Sequence, residues 1–148
     1  IGMGQMDYAF ALAKRLLGIG IRVGVISGIL LILTSQFIIR LFNFTPEGQR
    51  YALLIICILG LMMPIKIYNG LNVVGTMRCG GDTKFAMCLE TGTVWLIGVP
   101  LVFFGALYLK LPVYYVVLMA QTDEAVKAII CRWRFHSKKW LNNLVHDI

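Results

Sequence analysis

Four long apolar runs, separated by short polar stretches, organise the chain: residues 16–39, 51–75, 85–109 and 113–131. Each is about as long as the ~20 residues an α-helix needs to cross a bilayer. No soluble fold of this length requires four such segments. The pattern therefore predicts an all-α, polytopic transmembrane helical bundle with four transmembrane helices. Residues 1–15 are mixed polar and predict a cytoplasmic loop with an amphipathic surface helix, capped by Asp7. Residues 132–148 predict a basic tail.

The polar breaks have turn chemistry. Residues 75–85 read G-T-M-R-C-G-G-D-T-K-F, in which Gly80 and Gly81 supply the backbone freedom of a tight reversal. Asp82 or Thr83 is placed to cap the following helix. Residues 40–50 hold Asn43, Pro46, Glu47 and Gly48, a short connection. Asn43-Phe44-Thr45 spells a glycosylation sequon, but so near the membrane that the match is read as chance. Lys110-Leu111-Pro112 is a minimal turn.

Polar residues inside the apolar runs carry the functional signal. In the first run, Gly20, Gly24 and Gly28 recur every four residues and present one helix face to a close-packed neighbour. In the second, Pro64 interrupts the run and predicts a kink. Beyond it Lys66, Asn69, Asn72 and Thr76 share an arc of ~120° on one side of the helix. Such an arc faces a bundle interior or a water-filled cavity rather than lipid. A plainer reading has Lys66 reaching for the interface and the asparagines gluing helices together. The third run carries Glu90 about 9 Å inside the turn, then Trp95 and Pro100. The fourth carries Gln121, Asp123, Glu124 and Lys127, with both carboxylates in register to pair with the ammonium. Self-neutralising pairing and proton handling are both open for this cluster.

Composition supports the membrane assignment: 59% of residues are hydrophobic, 14% are charged, and mean hydropathy is +0.79. The net charge of +7 does not indicate nucleic acid, because the basic residues lie in loops and the tail rather than on one polar face. Lys14, Arg15, Arg78, Lys84, Arg132, Arg134, Lys138 and Lys139 fall on one side of the predicted membrane, against Arg40, Arg50 and Lys110 on the other. The positive-inside rule then puts the opening stretch, the 75–85 turn and the C-terminus in the cytoplasm. Cys57, Cys79, Cys88 and Cys131 lack zinc-like spacing, and His136 and His146 are unpaired. No metal is expected. No nucleophile, base and metal set converges, so an enzyme is not expected either.

Taken together, these residues resemble the multidrug and toxic compound extrusion (MATE) transporters. Met77-Arg78-Cys79-Gly80-Gly81-Asp82-Thr83 is similar to the family's L-R-G-x-G-D-T-type signature, with Cys79 at its usual first glycine and Met77 at its leucine. Ile1–Asp7 with Ala9–Ala13 resembles the glycine-rich cytoplasmic loop and its Ala-containing helix. Trp95-Leu96-Ile97-Gly98-Val99-Pro100-Leu101 resembles a W-x-x-G-x-P-L run. Glu124-x-x-Lys127 with Arg132, Arg134 and Lys138-Lys139-Trp140 resembles the last helix and tail.

The resemblance implies the last four helices of a twelve-helix, two-lobe transporter of the plasma membrane, with the N-terminal lobe, the lipid bilayer and small cationic or amphipathic substrates as partners. It implies efflux in exchange for protons or sodium and no other cofactor. The tenth-helix carboxylate often tied to cation coupling in the family has no counterpart; Lys66 and Asn69 stand there. The pathway candidates are Lys66, Asn69, Asn72, Glu90, Asp123, Glu124 and Lys127, with Pro64 and Pro100 as hinges. Arg78, Gly80, Gly81, Asp82 and Thr83 form the cytoplasmic signature turn. Two other readings stand beside this one: a truncated, non-transporting membrane interaction module, and a lipid-linked sugar flippase of a related fold.

Overall fold

The structure is a computed structural model describing residues 5–42 and 44–141. The first four residues of the glycine-rich stretch, Asn43 of the sequon and His146 lie outside the described residues. The described residues are almost entirely helical. Helix α1 spans Met6–Arg40 and α2 spans Pro46–Gly70, the latter continuing as a π-type turn over Leu71–Met77. After the signature turn, α3 (Thr83–Thr93) and α4 (Val99–Phe103) are joined by a π-type turn at Val94–Gly98. A third such turn, Phe104–Tyr108, extends α4. Helices α5 (Val113–Ala120) and α6 (Thr122–His136) complete the order. Among the described residues, three helical stretches are long and apolar enough to cross a membrane: Met6–Arg40, Pro46–Met77 and Thr83–Tyr108.

Two boundaries differ from the pattern-based expectation. The surface helix expected over 1–15 is the first part of the continuous α1. Ala13 and Leu17 are buried in one core with Phe10 packed against it, so nothing favours a break between surface helix and span. Asp7 is in the first turn rather than at the cap, which is Gln5; its charge there complements the helix dipole. The fourth apolar run is divided at Gln121, and its second half continues to His136. Cys131 and Phe135, four apart, are both buried. That shared face carries the helix on through what reads as the start of the tail.

Large apolar side chains are exposed, and polar side chains share the interior with an apolar core. Leu96 is 79% exposed and Leu33 72%. The buried set includes Ser35, Asn69, Asn72, Thr76, Thr93, Gln121, Asp123 and Lys127. Apolar outside and polar inside is the arrangement a bilayer favours, since polar groups in hydrocarbon must find partners within the bundle.

The glycine stripe of α1 does what its spacing predicts. It lies directly against α2: a Cβ on Gly24 would stand 2.6 Å from Pro64 Cα, and one on Gly28 would strike the carbonyl oxygen of Gly60. Gly60 is four residues before Pro64, so its carbonyl is the one a proline leaves without a helical donor. Pro64 itself lies within the α-helical part of α2, and the departure from α-geometry comes later, at Leu71.

Candidate functional site

The polar residues of α2 and α6 meet in the bundle interior. Asn69 Nδ2 donates to Glu124 Oε2 at 2.6 Å and to the Glu124 main-chain oxygen at 2.9 Å. Lys127 Nζ, on a side chain only 8% exposed, lies 3.2 Å from Glu124 Oε1 and 4.0 Å from Asp123 Oδ2. Glu124 is thus held by an ammonium from its own helix and by an amide from another. The i,i+3 and i,i+4 spacings foresaw the first; only the crossing of α2 and α6 creates the second.

The site has more acceptors than donors. Two carboxylates face one ammonium, which leaves one negative charge uncompensated when all three are ionised. The side-chain oxygens of Asn69, Asn72 and Gln121 are buried and have no hydrogen-bond partner among the described residues. Asn72, fully buried, donates to the Tyr68 carbonyl at 3.0 Å, and Thr76 Oγ1 donates to the Asn72 carbonyl at 2.6 Å. Buried acceptors without donors are energetically unfavourable. A centre so composed accommodates a proton, a water or a cation more readily than an anion.

Asp123 reaches in a different direction from Glu124. An added Cβ on Gly98 would lie 3.6 Å from Asp123 Cβ and 3.8 Å from its Oδ2. Gly98 ends the π-type turn Val94–Gly98, so the missing side chain leaves that carboxylate room. Both residues border an apolar cavity of about 380 Å³ with Val94, Val102, Phe103 and Leu107. A largely apolar cavity with one carboxylate at its edge suits an amphipathic cation. Turns of π geometry recur at functional sites, and here they adjoin both Asn69 and Asp123.

The remaining predicted pathway residues are placed elsewhere. Glu90 pairs with Arg78 at 2.7 Å, each side chain 41% exposed, and makes no hydrogen bond to Asn69 or Lys127. Lys66 is half-buried and has no ion pair or hydrogen bond among the described residues. Pro100 stands in the first turn of α4, between the π-type turns Val94–Gly98 and Phe104–Tyr108.

The signature turn is a helix stop. Asp82 N–H donates to the Met77 carbonyl and Gly81 N–H to the Arg78 carbonyl, the paired bonds of a Schellman motif. Gly81 has φ 83°, which favours glycine. Asp82 occupies the cap position of α3 but makes no side-chain cap bond. Its carboxylate instead accepts from Arg134 Nε at 2.7 Å. Thr83 opens α3. Arg134 also covers the Phe85 ring at 4.4 Å. Gly80 lies against Trp140, where a Cβ would stand 2.6 Å from the indole. Trp140 stacks on Phe135 at 5.5 Å and donates to its carbonyl. Residues assigned by sequence to the basic tail thus close over the turn. The aromatic spacing 135–140 was a signal for this, visible only once the helix was known to extend to His136.

Comparisons with known proteins were consistent with these features. No family model and no solved structure matches the chain. It is 25% identical over 141 residues, 95% of its length, to the uncharacterized transporter YisQ of Bacillus subtilis. It is 29% identical over 142 residues, 93% of its length, to the multidrug resistance protein NorM of Burkholderia vietnamiensis. A probable multidrug resistance protein NorM of Burkholderia mallei is 29% identical over 126 residues, 82% of the chain. The chain spans about a third of the length of these relatives, 31%, 31% and 27% respectively. These relatives bear out the resemblance drawn from the signature turn. They are named as a transporter and as multidrug resistance proteins, which supports the expectation that the chain is not an enzyme.

Proposed function

We propose that these helices are part of the second lobe of a MATE-type efflux transporter, one that exports cationic or amphipathic compounds in exchange for protons or sodium. The observation that carries this reading is the acceptor-rich centre of Asn69, Asp123, Glu124 and Lys127, buried beside an apolar cavity. A buried site with one surplus negative charge attracts a cation, and its occupancy alters the packing of both helices that build it.

The coupling step is local. A proton taken up by Glu124 removes the charge that holds Lys127. The ammonium then rests on Asp123 alone, whose carboxylate is no longer available to a cationic compound in the adjoining cavity. Proton and substrate exclude one another through Lys127. Lys66, half-buried and without a carboxylate partner among the described residues, is a second cation with which Glu124 can pair once it gives the proton up. The π-type turns after Asn69 and before Val99, near Pro64 and Pro100, are where the helices rearrange. In this reading the signature turn and the tail face the cytoplasm at the plasma membrane.

The test is efflux of a fluorescent cationic dye by a transporter that joins this segment to a first lobe. Glu124→Gln is expected to abolish the dependence of efflux on the proton gradient, and Lys66→Ala to weaken it. Wild-type efflux with wild-type pH dependence in both variants would overturn the proposal.

A further inference from the structure

We infer that the groove between α1, α2 and α6 seats an acyl chain of an anionic phospholipid, with Arg132 on the lipid phosphate. The groove encloses about 310 Å³ and is bordered by Ile21, Ile65, Tyr68, Ala128, Ile129 and Arg132. All but Arg132 present mainly apolar surface.

Arg132 is unlike Lys127 and Arg134, the other Lys and Arg of α6. Arg78, Lys127, Arg134 and Lys138 each pair with a carboxylate. The Arg132 side chain is exposed and has no ion pair or hydrogen bond among the described residues. It stands four residues before the end of α6, ~6 Å along the axis. Trp133 beside it is 62% exposed, as befits an aromatic at headgroup level. Ile129, one turn deeper, faces outward.

An apolar groove that ends at a guanidinium matches a lipid's own order of parts, tail then phosphate. The planar guanidinium binds phosphate oxygens in pairs, and a charge at this depth is stabilised by a counter-charge. A soluble phosphate leaves the groove empty, and a zwitterionic lipid brings the same phosphate together with a quaternary cation that offsets its charge. The anionic phospholipid satisfies both groove and guanidinium.

The test uses the full chain in detergent micelles with equal amounts of phosphatidylglycerol and phosphatidylcholine of identical chains, and counts retained lipid by native mass spectrometry. Wild type is expected to retain phosphatidylglycerol about fivefold over phosphatidylcholine. Arg132→Gln removes that preference, and Arg132→Lys restores part of it. Lys139→Gln, which removes a tail charge away from the groove, leaves the preference intact. Ala128→Trp fills the groove and lowers retention of phosphatidylglycerol while keeping the charge. Equal retention of the two lipids by wild type overturns the inference. So does a preference that survives Arg132→Gln or Ala128→Trp, or one that falls as far in Lys139→Gln, which would mark diffuse attraction by the tail.

Discussion

Replacing Lys127 by methionine is the sharpest test of the buried centre. Methionine retains most of the side-chain volume, so the change removes charge rather than packing. At an effective dielectric of ~20, an ammonium 3.2 Å from one carboxylate oxygen and 4.0 Å from another attracts them by about 5 and about 4 kcal/mol. These attractions offset the desolvation of three charges and are not a net gain. What the substitution exposes is the penalty of two buried carboxylates without a cation, about 3–5 kcal/mol. For a chain of this size that lowers Tm by roughly 6–12 °C at the lower end of the range. Adding Glu124→Gln to Lys127→Met removes the like charge and keeps an acceptor for Asn69. The double variant is expected to recover 2 kcal/mol or more, ~2 kcal/mol being a coupling well above the ~0.5 kcal/mol scatter of independent sites. Thermal unfolding of the four proteins in one detergent gives the full cycle. A loss under ~1 kcal/mol for Lys127→Met, or additivity within ~0.5 kcal/mol, would show that the three groups do not share a charge balance.

Two further substitutions test the packing that positions this centre. Gly28→Val drives a branched side chain into the Gly60 carbonyl and is expected to destabilise by about 1–3 kcal/mol; Gly18→Ala, with open space at its Cβ, is expected to be neutral or to stabilise by up to ~1 kcal/mol, and equal losses in thermal unfolding would refute the assigned α1 face. Trp140→Ala empties the space over Gly80 and removes a buried aromatic, a loss of about 3–5 kcal/mol, read as faster hydrogen exchange at the Gly80 and Asp82 amides; unchanged exchange there would refute closure of the turn by the tail.

The candidate site was legible in part, and the division has a physical basis. Residues within one helix are related by a fixed rotation and rise. Asp123 and Glu124 with Lys127 follow from spacing alone, as does the arc of Asn69, Asn72 and Thr76. Glu90 shows the limit. Its depth along α3 suggested the same interior, but the side chain turns to Arg78, because a one-dimensional pattern gives depth without relative rotation between helices. Arg134 belongs by sequence to the basic tail, and its carboxylate partner Asp82 is 52 residues earlier in the chain. Asp82 is by sequence, with Thr83, a candidate helix cap, the local option, and a distant guanidinium supplied a stronger partner than the cap amides.

By itself, the sequence determined that the chain is a bundle of helices with apolar outer surfaces, where it reverses at Gly80-Gly81, and which face of α1 admits a neighbour. These follow from local sterics and from water's exclusion of apolar surface, both of which act residue by residue. The tertiary structure alone decided that α1 runs unbroken from Met6 and that α6 runs through Arg132 to His136. It also joined Asn69 to Glu124, and it brought Trp140 back over the turn. Each of these depends on two segments far apart in the chain meeting at one point, and the free energy of that meeting is absent from either segment alone.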